Sequence, residues 1–236
     1  RRQRQMCIRD RHGIQTIKRY FGVDVAREVK RDFGAASVVT AANCFAHIED
    51  VHAIVDGIVE MLKPDGVFIS ESHYLIPLLD TLQYDTIYHE HLRYYSLGSL
   101  KHLLEMHGLE VIHARPIPSH GGSIRVYAAR QGAHAVQNSV RHMLAEEPRG
   151  EAMVKRLDKF RNDVILSKLR LLSMVRDLKE KGARIAGISA PSRASTLVNY
   201  VGLDEGLIDF VCEIPGSLKI GTVSYTHLTL PTTSRV

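Results

Sequence analysis

The chain has 236 residues, 44% of them hydrophobic and 24% charged, with a formal net charge of +5. That composition is ordinary for a soluble globular protein, long enough for one large domain or two small ones with a buried core. Three cysteines with no C-x-x-C exclude a disulfide framework and fit a reducing, cytoplasmic setting; no signal peptide and no apolar run of membrane-span length is visible.

The ends read differently from the middle. Met6-Cys7-Ile8-Arg9-Asp10 can be encoded by ATG TGT ATA AGA GAC, and the reverse complement of that DNA reads Val-Ser-Tyr-Thr-His, the segment from Val223 to His227. Two pentapeptides related by strand inversion have no origin in protein physics and look like translated adapter DNA. Residues 1–11 and 223–236 are therefore set aside from fold reasoning. With them goes the basic Arg1-Arg2-Gln3-Arg4 start, so neither it nor the net charge argues for nucleic acid.

Residues 23–33 have helical apolar spacing and stop at Gly34, a C-terminal glycine. Residues 36–42, Ala-Ser-Val-Val-Thr-Ala-Ala, read as a buried strand. Ile48 to Leu62 is amphipathic, with Val51, Ile54, Val55, Ile58 and Leu62 on one face, and Lys63-Pro64-Asp65-Gly66 closes it as a turn. A short strand follows over 67–70, a helix from Leu97 to Met106 stopping near Gly108, and a last pair of strands at 111–114 and 124–128. From Gln137 to Leu178 the chain reads as a core-facing helical pair. A small α/β unit then runs strand 183–188, helix 192–200, strand 207–211. Alternating strands and helices predict a doubly wound, mostly parallel sheet, whose ligands bind in loops beyond the carboxyl ends of the strands. The two loops in question are Asn43 to Asp50 and Glu71 to Tyr95.

The second loop holds Tyr88-His89-Glu90-His91 and then Tyr94-Tyr95-Ser96. Two imidazoles, a carboxylate and three phenols within nine residues supply what proton abstraction needs: a base titrating near neutrality, a carboxylate to tune it, and hydroxyls to hold an oxyanion. A polar, histidine-rich loop is the plain alternative. His120-Gly121-Gly122-Ser123 with Arg125 admits two readings. Either the glycines bring backbone close to a ligand and Arg125 meets a pyrophosphate, or they open a strand and Arg125 sits in an ordinary salt bridge. Glu71 and Tyr74 are weaker candidates of the same kind. Ser189-Ala190-Pro191-Ser192 feeds a helix N-terminus, where a phosphate site and simple capping by Ser192 both fit.

Several segments together resemble sugar C-methyltransferases of the class I S-adenosylmethionine-dependent fold. They are residues 42–50 (Ala-Asn-Cys-Phe-Ala-His-Ile-Glu-Asp), residues 62–67 (Leu-Lys-Pro-Asp-Gly-Val), Tyr88-His89-Glu90-His91, His120 to Arg125, and Ala190-Pro191-Ser192-Arg193. The Leu-Lys-Pro-Asp-Gly turn is common to many methyltransferases; the Tyr-x-Glu-His cluster followed by His-Gly-Gly-Ser-x-Arg is far more specific. The resemblance implies a Rossmann-like, doubly wound methyltransferase domain over 12–132, a helical connector over 133–180 and a small C-terminal α/β domain over 181–222. It implies S-adenosylmethionine as cofactor, with Ala42 and Asn43 beside it, and a nucleotide-linked 4-keto-deoxysugar methylated at C3. His91 is then the base, with Glu90, Tyr88 and His47 around the reacting carbon. His120, Gly121, Gly122, Ser123, Arg125, Ser192 and Arg193 hold the substrate.

The glycine-rich cofactor loop of that fold is not matched before Ala36, nor is the cysteine-bearing, zinc-binding N-terminal segment common in the family. After Lys219-Ile220-Gly221 the chain departs from the family pattern. The expectation is a fragment cut at both ends, lacking central strands and binding S-adenosylmethionine poorly. Two other readings stand beside the enzyme. One is a non-catalytic nucleotide-sugar-binding protein. The other is a metal-dependent hydrolase using His89 and His91 as ligands, for which His47, His113 and His120 give no familiar third-ligand spacing.

Overall fold

The computed structural model describes residues 15–189 and 191–213. The two adapter-like segments, Ala190 and the Lys219–Gly221 departure lie outside the described residues.

Helix α1 (Val23–Phe33) ends as its sequence predicts: Gly34 takes φ 83° and returns its N–H to the Lys30 carbonyl, with Lys30 and Arg31 in the last turn complementing the helix dipole. Strand β1 (Ala36–Ala42) leads through a 3₁₀ turn (Phe45–His47) to α2 (Val51–Met61). Asp50 starts α2 by accepting the Ala53 N–H at 3.0 Å, so the helix begins three residues later than its apolar spacing alone implies.

Strand β2 (Leu62–His73) is three times as long as the four-residue strand expected at 67–70. At its start the Lys63–Gly66 turn is absorbed as an irregularity: Ala36 pairs with Leu62 and Val38 with Val67. At its end it continues because an antiparallel partner, β4 (Ser123–Arg130), runs alongside, pairing Glu71 with Arg125, Ser72 with Ile124 and His73 with Ser123. Helix α3 (Leu75–Asp80) occupies part of what the sequence presents as loop. Helix α4 (Leu97–Glu105) opens with a Ser96–Ser99 capping box, and β3 (Leu109–Ile117) follows it.

The strand order is β1-β2-β4-β3. The β1–β2 pair is parallel, and the expected last pair of strands forms the antiparallel edge, a common finish to a doubly wound sheet. Phe68 on β2, Val111 on β3 and Ile124 and Val126 on β4 meet Val55 and Ile58 of α2 and Leu97, Leu100 and Leu104 of α4 in one core. The helical pair exists as α5 (Asn138–Glu146), which adds Val140 and Met143 to that core, and α6 (Glu151–Glu180), which buries Val164 and Val175 but leaves Val154, Leu157 and Leu169 exposed, so the core-facing expectation fails for α6.

A second expectation of burial is also corrected. β1 is not buried: Val38 is 55% exposed, because β1 lies at the sheet edge with no strand beyond it among the described residues. An apolar, β-branched run signals capacity for burial, and burial itself depends on neighbours.

The C-terminal unit pairs β5 (Ala186–Ile188) with β6 (Phe210–Cys212) in parallel, with α7 (Ser192–Val201) between them in sequence. Helix α7 seats on the 3₁₀ turn Tyr84–Thr86, with the Tyr84 and Tyr200 rings 5.6 Å apart. That contact brings the helix N-terminus over the ends of β1 and β2.

Candidate active site

A cavity of about 310 Å³ opens at the carboxyl ends of β1 and β2, where this kind of sheet places its ligands. Asn43, Ala46 and His47 line it from the turn after β1, Ser72 and His73 from the end of β2, and Tyr88 and His91 from the next loop. His120 closes one side, and Pro191, Ser192 and Arg193 at the start of α7 close another. Both loops singled out by the sequence reach this one space.

His91 is oriented by a carbonyl. Its Nδ1 lies 2.9 Å from the main-chain oxygen of Thr86, which can only accept, so the proton sits on Nδ1 and Nε2 carries the lone pair. Nε2 lies 3.3 Å from the Tyr88 hydroxyl. Burial pushes His91 below the ordinary imidazole range; the Thr86 carbonyl opposes this, the neighbouring His47 and His73 push further down, and Glu90 offsets them slightly. The result is a neutral imidazole with its basic nitrogen presented beside a phenol.

Around it stand three more imidazoles. The His47 ring centroid is 4.9 Å from that of His91, His73 is 5.9 Å from His91, and His73 is 6.0 Å from His120. Main-chain carbonyls fix two of them: His47 donates from Nδ1 to the Glu90 oxygen at 2.7 Å, and His73 donates from Nε2 to the His120 oxygen at 2.7 Å. Burial also holds His73 below the usual range. Glu90 is exposed, and its carbonyl, not its carboxylate, makes the bond to His47. His89 is exposed and off the cavity wall, and no group of three or more His, Cys, Asp or Glu among the described residues is arranged to hold a metal ion. Cys44, half-buried with its thiol pushed up by burial, is a poor nucleophile.

The His-Gly-Gly-Ser turn divides. His120 reaches the cavity in the left-handed region at φ 53°. Gly121 and Gly122 have φ 80° and 124°, and the close approach they allow is to protein. A Cβ on Gly121 would meet the Gln83 amide at 2.6–2.8 Å, and one on Gly122 would meet Pro77 Cβ at 2.4 Å. Ser123 is fully buried and donates to the Ser119 carbonyl at 3.1 Å. Arg125 donates through Nε and Nη2 to Glu71 Oε2 at 3.0 and 2.6 Å, and that guanidinium holds the Glu71 carboxyl below the usual range. Of the two readings left open by the sequence, this is the salt-bridge arrangement. Tyr74 is also engaged elsewhere, donating to the buried Glu147 at 2.9 Å.

At the other wall Ser192 is the first residue of α7, and its side chain does not cap the helix. Arg193 crosses to the loop that bears His91, donating from Nη2 to Asp85 at 2.8 Å, while Thr196 donates to the Ile87 carbonyl at 3.1 Å. Asn43 takes φ 52° at the end of β1 and borders the cavity; Ala42, exposed on the edge strand and paired with Glu71, is off the cavity wall. Sequence reasoning missed Ser72, His73 and Thr86. The first two belong to no motif, and Thr86 contributes only its carbonyl.

Comparison with known proteins points one way. Residues 7–114 match a methyltransferase domain and residues 118–232 a C-methyltransferase C-terminal domain. The chain is 39% identical over 213 residues, 89% of its length, to the C-methyltransferase NovU of Streptomyces niveus, and spans half the length of that relative. Solved structures overlap in part. An O-methyltransferase family protein from Burkholderia thailandensis is 14% identical, with 56% of this chain and 41% of that one covered at a TM-score of 0.39. Magnesium protoporphyrin IX methyltransferase from Synechocystis is 11% identical, with 42% and 47% covered at 0.33. No helix among the described residues is long and apolar enough to cross a membrane. Spanned by two adjoining methyltransferase models and aligned with NovU over most of its length, the chain belongs to the C-methyltransferase family.

Proposed function

We propose that this chain forms the base and substrate side of an S-adenosylmethionine-dependent C-methyltransferase acting on a nucleotide-linked 4-keto-deoxysugar. The observation behind the reading is the His91 geometry: Nδ1–H held by the Thr86 carbonyl, and Nε2 free to take a proton beside the Tyr88 hydroxyl.

A hydrogen on the carbon next to a ketone is acidic because the resulting charge moves to the carbonyl oxygen. His91 Nε2 removes that proton, and the imidazolium formed is held by the Thr86 carbonyl. The Tyr88 phenol has one proton to donate. In the free site it points at Nε2; with substrate present it turns to the developing enolate oxygen, which frees Nε2 and stabilises the oxyanion together. His47, on the same wall, borders the same oxygen. S-adenosylmethionine, when bound, would supply the electrophilic methyl group for the carbon, its methyl–sulfur bond breaking to leave S-adenosylhomocysteine. Asn43 is the described residue suited to border it, because its left-handed turn at the end of β1 opens onto the cavity. Ser192 and Arg193 stand at the N-terminus of α7, whose free N–H groups suit the phosphates of a nucleotide handle.

The test is deuterium exchange at the carbon adjacent to the ketone, run on the full-length enzyme with a dTDP-linked 4-keto-6-deoxyhexose. His91→Asn should abolish exchange while leaving sugar binding in place. Exchange at the wild-type rate in that variant would remove His91 as the base.

A further inference from the structure

We infer that Ser72 is a substrate-contacting residue, its buried hydroxyl bonding an oxygen of the bound sugar from the end of β2. This rests on the keto-sugar reading above. Ser72 is 2% exposed, and its Oγ has no hydrogen-bond partner among the described residues. A buried hydroxyl left unpaired is costly, and in native proteins such a group points to a water or ligand that completes it.

The other buried side-chain atoms in the same condition belong to Ser70, Gln83, Tyr95 and Arg193. Of these only Arg193 shares the cavity wall with Ser72, and its guanidinium already reaches Asp85 through Nη2. Ser70 repeats the chemistry of Ser72 two residues earlier on the same strand, at 1% exposure, but lies off the cavity. The strand therefore provides its own control.

The placement favours sugar over cofactor. Ser72 pairs across the sheet with Ile124 in β4, on the side of the His120 turn. Its neighbour His73 lies between His91 and His120, 5.9 and 6.0 Å from their rings. A hydroxyl here can both donate to a carbonyl or ring oxygen and accept from a sugar hydroxyl, in the cavity that His91 also lines.

The experiment compares Ser72→Ala and Ser70→Ala in the full-length protein. It measures thermal unfolding, S-adenosylmethionine affinity, and the Kd and KM for a dTDP-linked 4-keto-6-deoxyhexose. Removing an unpaired hydroxyl leaves stability unchanged or raised, so loss of fold is not expected in either variant. Ser72→Ala should weaken sugar binding about tenfold, the effect of one good hydrogen bond, with cofactor affinity unchanged and Ser70→Ala like wild type. Three results overturn the assignment: unchanged sugar affinity in Ser72→Ala, an equal loss in Ser70→Ala, or a loss confined to the cofactor. A fall in stability with sugar affinity intact also overturns it, by giving the hydroxyl to a buried water. A wild-type protein that neither binds nor methylates the sugar overturns the functional reading itself, and the Ser72 assignment with it.

Discussion

The main-chain carbonyl of Thr86 accepts two side-chain hydrogen bonds at once, from His91 Nδ1 at 2.9 Å and from the Tyr94 hydroxyl at 3.2 Å. Thr86 is itself fully buried, with its own hydroxyl bonded to the Gln83 carbonyl at 2.8 Å. The tautomer of His91 is thus set by a backbone oxygen that no side-chain substitution at 86 can remove. An imidazole oriented in this way keeps Nε2 unprotonated at the cavity wall, as the role proposed for His91 requires.

The pH dependence follows from that geometry. His91 and His73 are both held below the ordinary imidazole value of about 6.5 by burial. The groups facing them are His47, His120, Glu90, Asp85 and Arg193. Because the folded values are depressed, the neutral base persists below pH 6.5, and the acid limb of kcat/KM should fall below that point. Stability carries the same sign. The unfolded chain takes up protons first, so the contribution of these histidines is complete above about pH 6.5 and is lost as pH falls through their folded values. A pH–rate profile with its acid limb above 7 would contradict this, as would a Tm that rises on acidification from 6.5 to 5.

Arg193 at the start of α7 and Asp85 in the loop before His91 are joined by a hydrogen bond of 2.8 Å. Both side chains are about one-third exposed, so the pair adds less than about 1 kcal/mol to stability. Its effect is on position: it fixes the N-terminal turn of α7 against the loop that bears His91. Asp85→Asn should leave Tm within a few degrees of wild type while raising the sugar KM several-fold, with kcat changed much less. An unchanged KM would show that α7 holds its place through Thr196 and the Tyr84–Tyr200 contact alone.

Much of this was readable from residue order, and the unread part has a common cause. Tyr88 and His91 announce themselves because titratable and phenolic groups cluster within a short window, whereas His47 enters only through the family resemblance. Gly122 announces a need for close approach, but not that Pro77 is what approaches. Arg125 facing Glu71 is a matter of strand register, and register depends on how far β2 runs. That length is set by its pairing with β4, more than fifty residues later in the chain. Ser72 and His73 were hidden for the same reason: a strand that reads as ending at Ser70 ends at His73, and its last residues become cavity wall.

The Gly122 position makes a steep prediction. Its φ of 124° is one that side chains rarely adopt, and an added Cβ would lie 2.4 Å from Pro77 Cβ. Backbone strain and steric overlap act together, so Gly122→Ala should destabilise by about 2–4 kcal/mol. Pro77 is in α3, so a second change there can relieve the overlap but not the strain. Pro77→Gly, which removes the overlapped Cβ, should recover only part of the loss in the Gly122→Ala background. Full recovery in a double-mutant cycle would mean the positive φ costs nothing here.

Glu147 is the last case, a carboxylate buried to 7% exposure that serves as an anchor. It accepts from the Tyr74 hydroxyl at 2.9 Å, from the Gly98 N–H at 2.9 Å, and from the Leu97 N–H. The two amides open α4, so the negative charge also meets the positive end of that helix dipole. Glu147→Ala removes all three acceptor contacts and leaves a buried phenol and two buried amides unpaired, a loss of about 3 kcal/mol. Glu147→Gln keeps one carbonyl acceptor and the shape, and should lose about half as much. Because Tyr74 and Glu147 stand apart from the cavity wall, folded Glu147→Gln protein should keep wild-type sugar affinity. If the glutamine variant matched the alanine variant in unfolding, the charge, and not the hydrogen-bond count, would be what holds α4 in place.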